Sequence, residues 1–114
     1  MFLVEDETLI RMMVADMLAE LGCFVAAVAG RIDEAMKLAQ STEFDLAILD
    51  VNVGGNMIWP VADLIRARNR PIIFATGYGS IPEVFQQYPR LQKPFRLEVL
   101  AKMIDKTLNN ARPG

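Results

Sequence analysis

The sequence predicts a doubly wound α/β fold: a parallel sheet of five strands with helices on both faces. Three observations carry that expectation. Residues 46–49, Leu-Ala-Ile-Leu, are an unbroken apolar run, as a strand buried on both faces of a parallel sheet requires. Such runs alternate with stretches whose apolar residues recur at helical spacing. The order is β-α-β-α-β through residue 49, which demands right-handed crossovers. Finally, the strands run into polar groups: Glu5-Asp6 after the first, Asp50 after the third, Thr76 after the fourth and Lys93 after the fifth. They therefore gather at the carboxyl edge of the sheet, where open α/β folds bind ligands.

Taken in order, residues 1–4 are the first strand. From Glu7 onward Leu9, Ile10, Met13, Met17, Leu18 and Leu21 recur at helical spacing, so the first helix is expected to lay its methionine-rich side on the sheet. Glu7 sits near its positive end and Gly22 terminates it. Residues 24–29 form the second strand. Gly30 turns into a helix with Ile32, Ala35, Met36, Leu38 and Ala39 inward and Asp33, Glu34 and Lys37 solvated. The third strand is followed by a loop, residues 51–56, whose Gly54 and Gly55 allow it to fold back over the edge.

Pro60 suits the first turn of a helix running to about residue 68. Val61, Leu64 and Ile65 face inward, Arg66, Arg68 and Arg70 are solvated, and Trp59 takes a half-buried packing role. Residues 71–75 are the fourth strand. Ser80 and Glu83 read as a capping box opening a short helix to residue 87. Leu91-Gln92 is a brief fifth strand entering Lys93-Pro94-Phe95. The last helix, 97 to about 109, buries Val99, Leu100, Met103, Ile104 and Leu108, and residues 111–114 are a frayed tail.

Composition narrows the chemistry. A chain of 114 residues suits one domain, expected to span 1–114. A net charge of -2 lacks the positive excess that phosphate-backbone binding needs, so no direct nucleic-acid partner is expected. The longest apolar run, around residues 23–29, falls far short of the roughly 20 residues that span a bilayer, and no leader pattern opens the chain. We expect no membrane association and a cytoplasmic location. Cys23, alone, forms no internal disulfide, in keeping with a reducing compartment. The absence of histidine excludes a serine-histidine triad, a histidine base and histidine-ligated zinc. Carboxylates, lysine, hydroxyls and a hard metal remain.

With the sheet in the order 2-1-3-4-5, strands one and three are neighbours and Glu5, Asp6 and Asp50 crowd together. Two carboxylates about 4 Å apart, at an effective dielectric near 20, oppose each other by about 4 kcal/mol. A cation is therefore expected. All-oxygen ligands suit Mg2+, with Mn2+ able to substitute. A carboxylate, magnesium, a lysine and a hydroxyl are the parts needed for phosphoryl transfer, which rests on opposite charge placed around the phosphoryl oxygens. Asp50 is the candidate nucleophile, forming an acyl phosphate. Asp6 and Asp50 would hold the metal directly and Glu5 through water, while Lys93 and Thr76 meet further phosphoryl oxygens.

These residues, Glu5-Asp6, Asp50, Thr76 and Lys93-Pro94-Phe95, in this order and at these spacings, closely resemble the receiver domain of two-component response regulators over the whole chain. The resemblance implies a flavodoxin-like sheet in the order 2-1-3-4-5. It also implies that Asp50 accepts a phosphoryl group from a phosphohistidine on a sensor histidine kinase or histidine phosphotransferase. The Asn52 main-chain carbonyl would complete the metal shell, and the Lys93-Pro94 bond would be cis. The chain would then be no enzyme toward outside substrates but a phosphorylated switch for a downstream protein target. In the family the Thr76 hydroxyl moves toward the phosphoryl group and an aromatic on the fifth strand repacks.

The chain departs from that pattern at two places. Arg90 stands where the fifth-strand aromatic is usual, and Gly54 where a proline is common. Residues 71–78, Pro-Ile-Ile-Phe-Ala-Thr-Gly-Tyr, resemble the PFxFATGY motif of a subgroup of stand-alone bacterial receivers, with Ile72 for its first Phe. There Tyr78 is expected to supply the missing aromatic and phosphorylation to reorder residues 77–87. A haloacid-dehalogenase-like phosphatase, the alternative, needs a second aspartate where Asn52 stands. A degenerate receiver acting only as a docking scaffold sits poorly with an intact acidic set, Thr76 and Lys93.

Overall fold

A computed structural model describes residues 1–77 and 81–111. In chain order the elements are β1 (Phe2–Val4), α1 (Thr8–Glu20), β2 (Ala27–Ala29), α2 (Ile32–Ser41), β3 (Ala47–Asp50), β4 (Asn52–Val53), β5 (Asn56–Met57), α3 (Trp59–Ala67), β6 (Ile72–Thr76), a single 3-10 turn (Glu83–Phe85), β7 (Arg90–Gln92) and α4 (Leu97–Ala111). Five strands form one parallel sheet in the order β2-β1-β3-β6-β7, and β4 pairs with β5 in a separate hairpin. Setting that hairpin aside, this is the expected 2-1-3-4-5 order.

Alternate residues of the strands feed two cores. Phe2, Val4, Leu49, Ile72 and Phe74 pack with Ala35 and Ala39 of α2 and Val61, Ala62 and Ile65 of α3. Leu3, Ile48, Ile73 and Leu91 pack on the other face with Val14 and Leu18 of α1 and Leu100 and Ile104 of α4. Because helices cover both faces, the central strands carry no polar alternation, and that is why they read as continuous apolar runs. Among the described residues, no helix is long and apolar enough to cross a membrane.

Register fixes where the site lies. Val4 is level with Leu49, so Glu5 and Asp50 leave the sheet side by side. Asp50 is paired with Ala75, so Thr76 lies one residue beyond on the next strand. Thr76 is paired with Gln92, and Lys93 follows.

Several local expectations are corrected. α1 is rotated from its expected face: Leu9 and Met13 are 77% and 58% exposed, and Val14 and Leu18 are the buried pair. The stripe Ile10, Val14, Met17, Leu18, Leu21 completes a helical face without them. β2 is three residues long rather than six, because its partner β1 offers three residues to pair. Phe24 is left 82% exposed. Val99 is also exposed. The short helix expected after Ser80 is instead the 3-10 turn, held by the burial of Phe85; Ser80 itself, with Tyr78 and Gly79, lies outside the described residues, as do 112–114 of the tail.

The arginines near α3 are engaged rather than merely solvated. Arg68 donates to the main-chain carbonyls of Ala39 and Thr42, pairs with Glu43 at 3.1 Å, and lies over the Phe44 ring. It thereby satisfies carbonyls that the end of α2 leaves without helical partners. Arg66 pairs with Asp63 and Arg70 with Glu43. The loop 51–56 is a tight hairpin whose central residues, Gly54 and Gly55, have φ of +60° and +87°. Such a turn needs positive φ at both positions, which glycine alone adopts without penalty. Gly22 ends α1 at φ +80°, and Pro60 occupies the first turn of α3, as the sequence predicts.

Candidate functional site

At the carboxyl edge, oxygens of Glu5, Asp6 and Asp50 lie within 4.8 Å of one another. Glu5 is only 3% exposed and Asp50 7%. β7 brings the counter-charge: Lys93 Nζ is 2.8 Å from Glu5 Oε1 and 3.2 Å from Asp50 Oδ2. The Lys93 N–H donates to the Thr76 carbonyl at 2.9 Å, so the hydroxyl-bearing and ammonium-bearing strand ends are joined through the main chain. The Lys93-Pro94 bond is cis, as the resemblance implies.

Glu5 is held at four points. Its N–H donates to Ala29 O at 3.0 Å and its carbonyl accepts from Arg11 Nη1 at 2.9 Å. One carboxylate oxygen takes Lys93, and the other accepts the Glu7 N–H at 3.1 Å. Asp6 is met from above by the hairpin, the Gly54 N–H donating to Asp6 Oδ2 at 3.0 Å. The Asn52 side chain serves the turn, its Oδ1 accepting the Gly55 N–H at 2.9 Å.

This crowding shifts the charges. Burial, reinforced by the neighbouring Glu5, pushes the Asp50 carboxyl up to about 7, and Lys93 offsets that only in part. For Lys93, burial pulls the other way but is outweighed by the hydrogen bond to Glu5 and the charge of Asp50, so its ammonium is held above the usual lysine range. Burial likewise opposes ionisation of Asp6, yet its contact with the Glu5 side chain and the Gly54 N–H bring its carboxyl below the ordinary value. Two buried carboxylates and the half-buried Asp6, under-neutralised together, are a set of hard oxygen donors with no nitrogen or sulfur among them. That set fits Mg2+.

The structure thus brings Glu5, Asp6, Asp50 and Lys93 into contact and sets Thr76 and Asn52 at the adjoining strand ends. Tyr78, expected to replace the fifth-strand aromatic, lies outside the described residues. Three participants were not read from the sequence. The Gly54 amide on Asp6 was signalled only by the glycine pair. Arg11 on the Glu5 carbonyl carried no signal, being one more charged residue on a helix. Arg90, noted only as a departure, donates to the Gln86 carbonyl at 3.1 Å and so braces the segment after the 3-10 turn.

A doubly wound five-stranded sheet with an acidic trio and a lysine at its carboxyl edge defines the receiver domain. The chain matches the response regulator receiver domain over residues 1–105 and belongs to that family of signalling domains. It is 31% identical to the transcriptional regulatory protein PdtaR of Mycobacterium tuberculosis over 116 residues, 96% of this chain and 57% of the relative. The chain therefore spans a little more than half the length of that curated relative. Among solved structures it is similar to SdrG from Sphingomonas melonis Fr1, with 38% identity, a TM-score of 0.83, and 94% and 93% of the two chains covered. It is also similar to the receiver domain of the PhyR response regulator from Erythrobacter litoralis, with 25% identity, a TM-score of 0.84, and 99% and 92% covered.

Proposed function

We propose that residues 1–114 act as one Mg2+-dependent phosphoacceptor receiver, with Asp50 as the residue phosphorylated. The observation that carries this reading is the ammonium of Lys93 placed between two nearly buried carboxylates, 2.8 and 3.2 Å away, in a pocket of hard oxygen donors. Asp6, Asp50 and the Asn52 main-chain carbonyl would hold the cation, with Glu5 reaching it through water. When bound, Mg2+ supplies positive charge against the phosphoryl oxygens.

The chain's own residues do the rest. An Asp50 carboxylate oxygen attacks the phosphorus of a phosphohistidine; the O–P bond forms, the P–N bond breaks, and the imidazole leaves with its electron pair. Attack needs the ionised form, and Lys93 favours it beside a carboxyl that burial would otherwise keep protonated. Lys93 and the Thr76 hydroxyl then meet separate oxygens of the aspartyl phosphate. Water later cleaves the acyl phosphate and restores Asp50. The chain is thus modified and reset rather than turning over an outside substrate.

The donor is a sensor histidine kinase or histidine phosphotransferase, and the phosphorylated surface near β6 and β7 engages a downstream protein target in the cytoplasm. An apolar cleft of about 280 Å3 between Met13 and Met17 of α1 and Pro94-Phe95 opens beside Lys93 and offers the donor a seat. Incubation with acetyl phosphate and Mg2+, read by intact mass, tests the assignment. One labile phosphate is expected on the wild type, absent without Mg2+ and absent in Asp50→Asn. A stable adduct, or one that survives in Asp50→Asn, would refute it.

A further inference from the structure

We infer that Arg11 is a positioning residue for the acids that bind the metal, and that residue 30 is glycine to make room for the Arg11 guanidinium. The inference rests on the reading of Glu5, Asp6 and Asp50 as a magnesium site. Arg11 lies in α1, its N–H bonded to Glu7 O at 2.8 Å, and its side chain turns back so that Nη1 donates to the Glu5 carbonyl at 2.9 Å. That carbonyl belongs to the peptide unit joining Glu5 to Asp6. Pinning it fixes the direction in which both carboxylates leave the main chain. The N–H of Glu5 is pinned from the other side by Ala29 O at the end of β2.

Gly30 follows Ala29 immediately, and the guanidinium lies against it. A methyl group built there would overlap Arg11 Nη1, while the nearest main-chain atom, Glu5 O, stays at an ordinary 3.7 Å. Gly30 is not among the residues with positive φ, so its backbone conformation does not itself require glycine. What yields to a side chain at position 30 is the end of a flexible arginine, not the fold. Arginine suits the role because its guanidinium stays charged at all working pH values and presents several donors in a fixed plane. Groups that orient metal ligands without touching the metal commonly change affinity by tenfold or more when removed.

The test is a Mg2+ titration of wild type, Arg11→Ala, Gly30→Ala, the double variant and Arg11→Lys, followed by the NMR amide signals of Glu7 and Gly54, whose N–H groups touch the Glu5 and Asp6 carboxylates. Thermal unfolding is recorded alongside. Arg11→Ala is expected to raise the Mg2+ Kd by about tenfold. Gly30→Ala should match it, the double variant should be no worse than Arg11→Ala, and Arg11→Lys should recover part of the loss. A lowered Tm with an unchanged Kd in Arg11→Ala would overturn the inference. So would a Gly30→Ala effect of equal size with and without Arg11. If wild-type amides ignore Mg2+, the metal reading falls and this inference with it; if they respond while the variants bind equally well, this inference alone falls.

Discussion

The two halves of the sheet's carboxyl edge are built in opposite ways. On the β1–β3 side the polar contacts are directional: Glu5 is held at four points, Asp6 by the hairpin amide, and Asp50 by Lys93, which reaches across from the end of β7. On the β6–β7 side the holding is aromatic. Trp59, Phe74, Phe85 and Tyr88 form a cluster with ring centroids 5.5 to 6.0 Å apart, with the Arg66 guanidinium 5.7 Å above Phe85. A buried charge cannot leave its partner without a large penalty, whereas buried aromatic rings hold one another by packing and by edge or face contacts. The first half therefore fixes the geometry of the acidic pocket. The second holds its segment by packing.

The largest expected effects separate the halves outright. Asp50→Asn should abolish phosphorylation by acetyl phosphate, and Lys93→Ala should slow it by about a hundredfold by removing the ammonium proposed above to meet a phosphoryl oxygen. Phe85→Ala, measured by the same mass assay, should stay within about threefold of wild type. A Phe85→Ala rate as low as that of Lys93→Ala would break the division.

Stability should show the reverse ranking. Phe85 is fully buried, touching Phe74 edge-on and Trp59 face-on, and its truncation opens a cavity the neighbours only partly fill. We expect a loss of about 3 to 4 kcal/mol in urea unfolding. The emission of Trp59, the one tryptophan, should move to the red in the folded variant. A loss under about 1 kcal/mol would mean the cluster packs too loosely to count as the holding element.

How much of this was written in the sequence follows the same line. The strand ends were legible because a continuous apolar run that stops at a charge has one solution in a sheet covered on both faces, and register then brings Glu5, Asp50, Thr76 and Lys93 together. Details set by tertiary partners were not. Leu9 and Met13 share a helical spacing with the buried stripe, and only the tilt of α1 on the sheet decides that Val14 points inward instead. Arg68 resembled any surface arginine until α2 placed its terminal carbonyls beside it. Ser80-Ile81-Pro82-Glu83 carries a helix-start pattern, yet the described segment holds a single 3-10 turn, Glu83–Phe85, with Phe85 buried.

The acidic half also predicts an unusual pH dependence. Asp50 sits at about 7 in the folded protein against an ordinary value of 3.8, so the folded state holds a proton that the unfolded chain gives up. Its contribution to stability is complete below about pH 4 and is lost as pH rises through about 7. Asp6, shifted down, titrates below this window, and Lys93, shifted up, stays charged across it. Metal-free wild type should therefore lose on the order of 2 kcal/mol between pH 5 and pH 8 relative to Asp50→Asn, with the variant the more stable at pH 8. Parallel Tm curves for the two proteins in EDTA would show that Asp50 is not held against its charge.

The smallest effect probes whether the halves communicate. Arg90 donates to the Gln86 carbonyl from an exposed position on β7, so Arg90→Ala should cost no more than about 1 kcal/mol in global stability. Its consequence should be local: the amides of Phe85 and Tyr88, which bond to Pro82 O and Phe85 O, should exchange faster. Those of Glu5 and Val51, which bond to Ala29 O and Ala75 O, should not change. Faster exchange at Glu5 or Val51 would show that bracing at β7 reaches the acidic pocket even without phosphate, and the edge would then have to be treated as one cooperative unit.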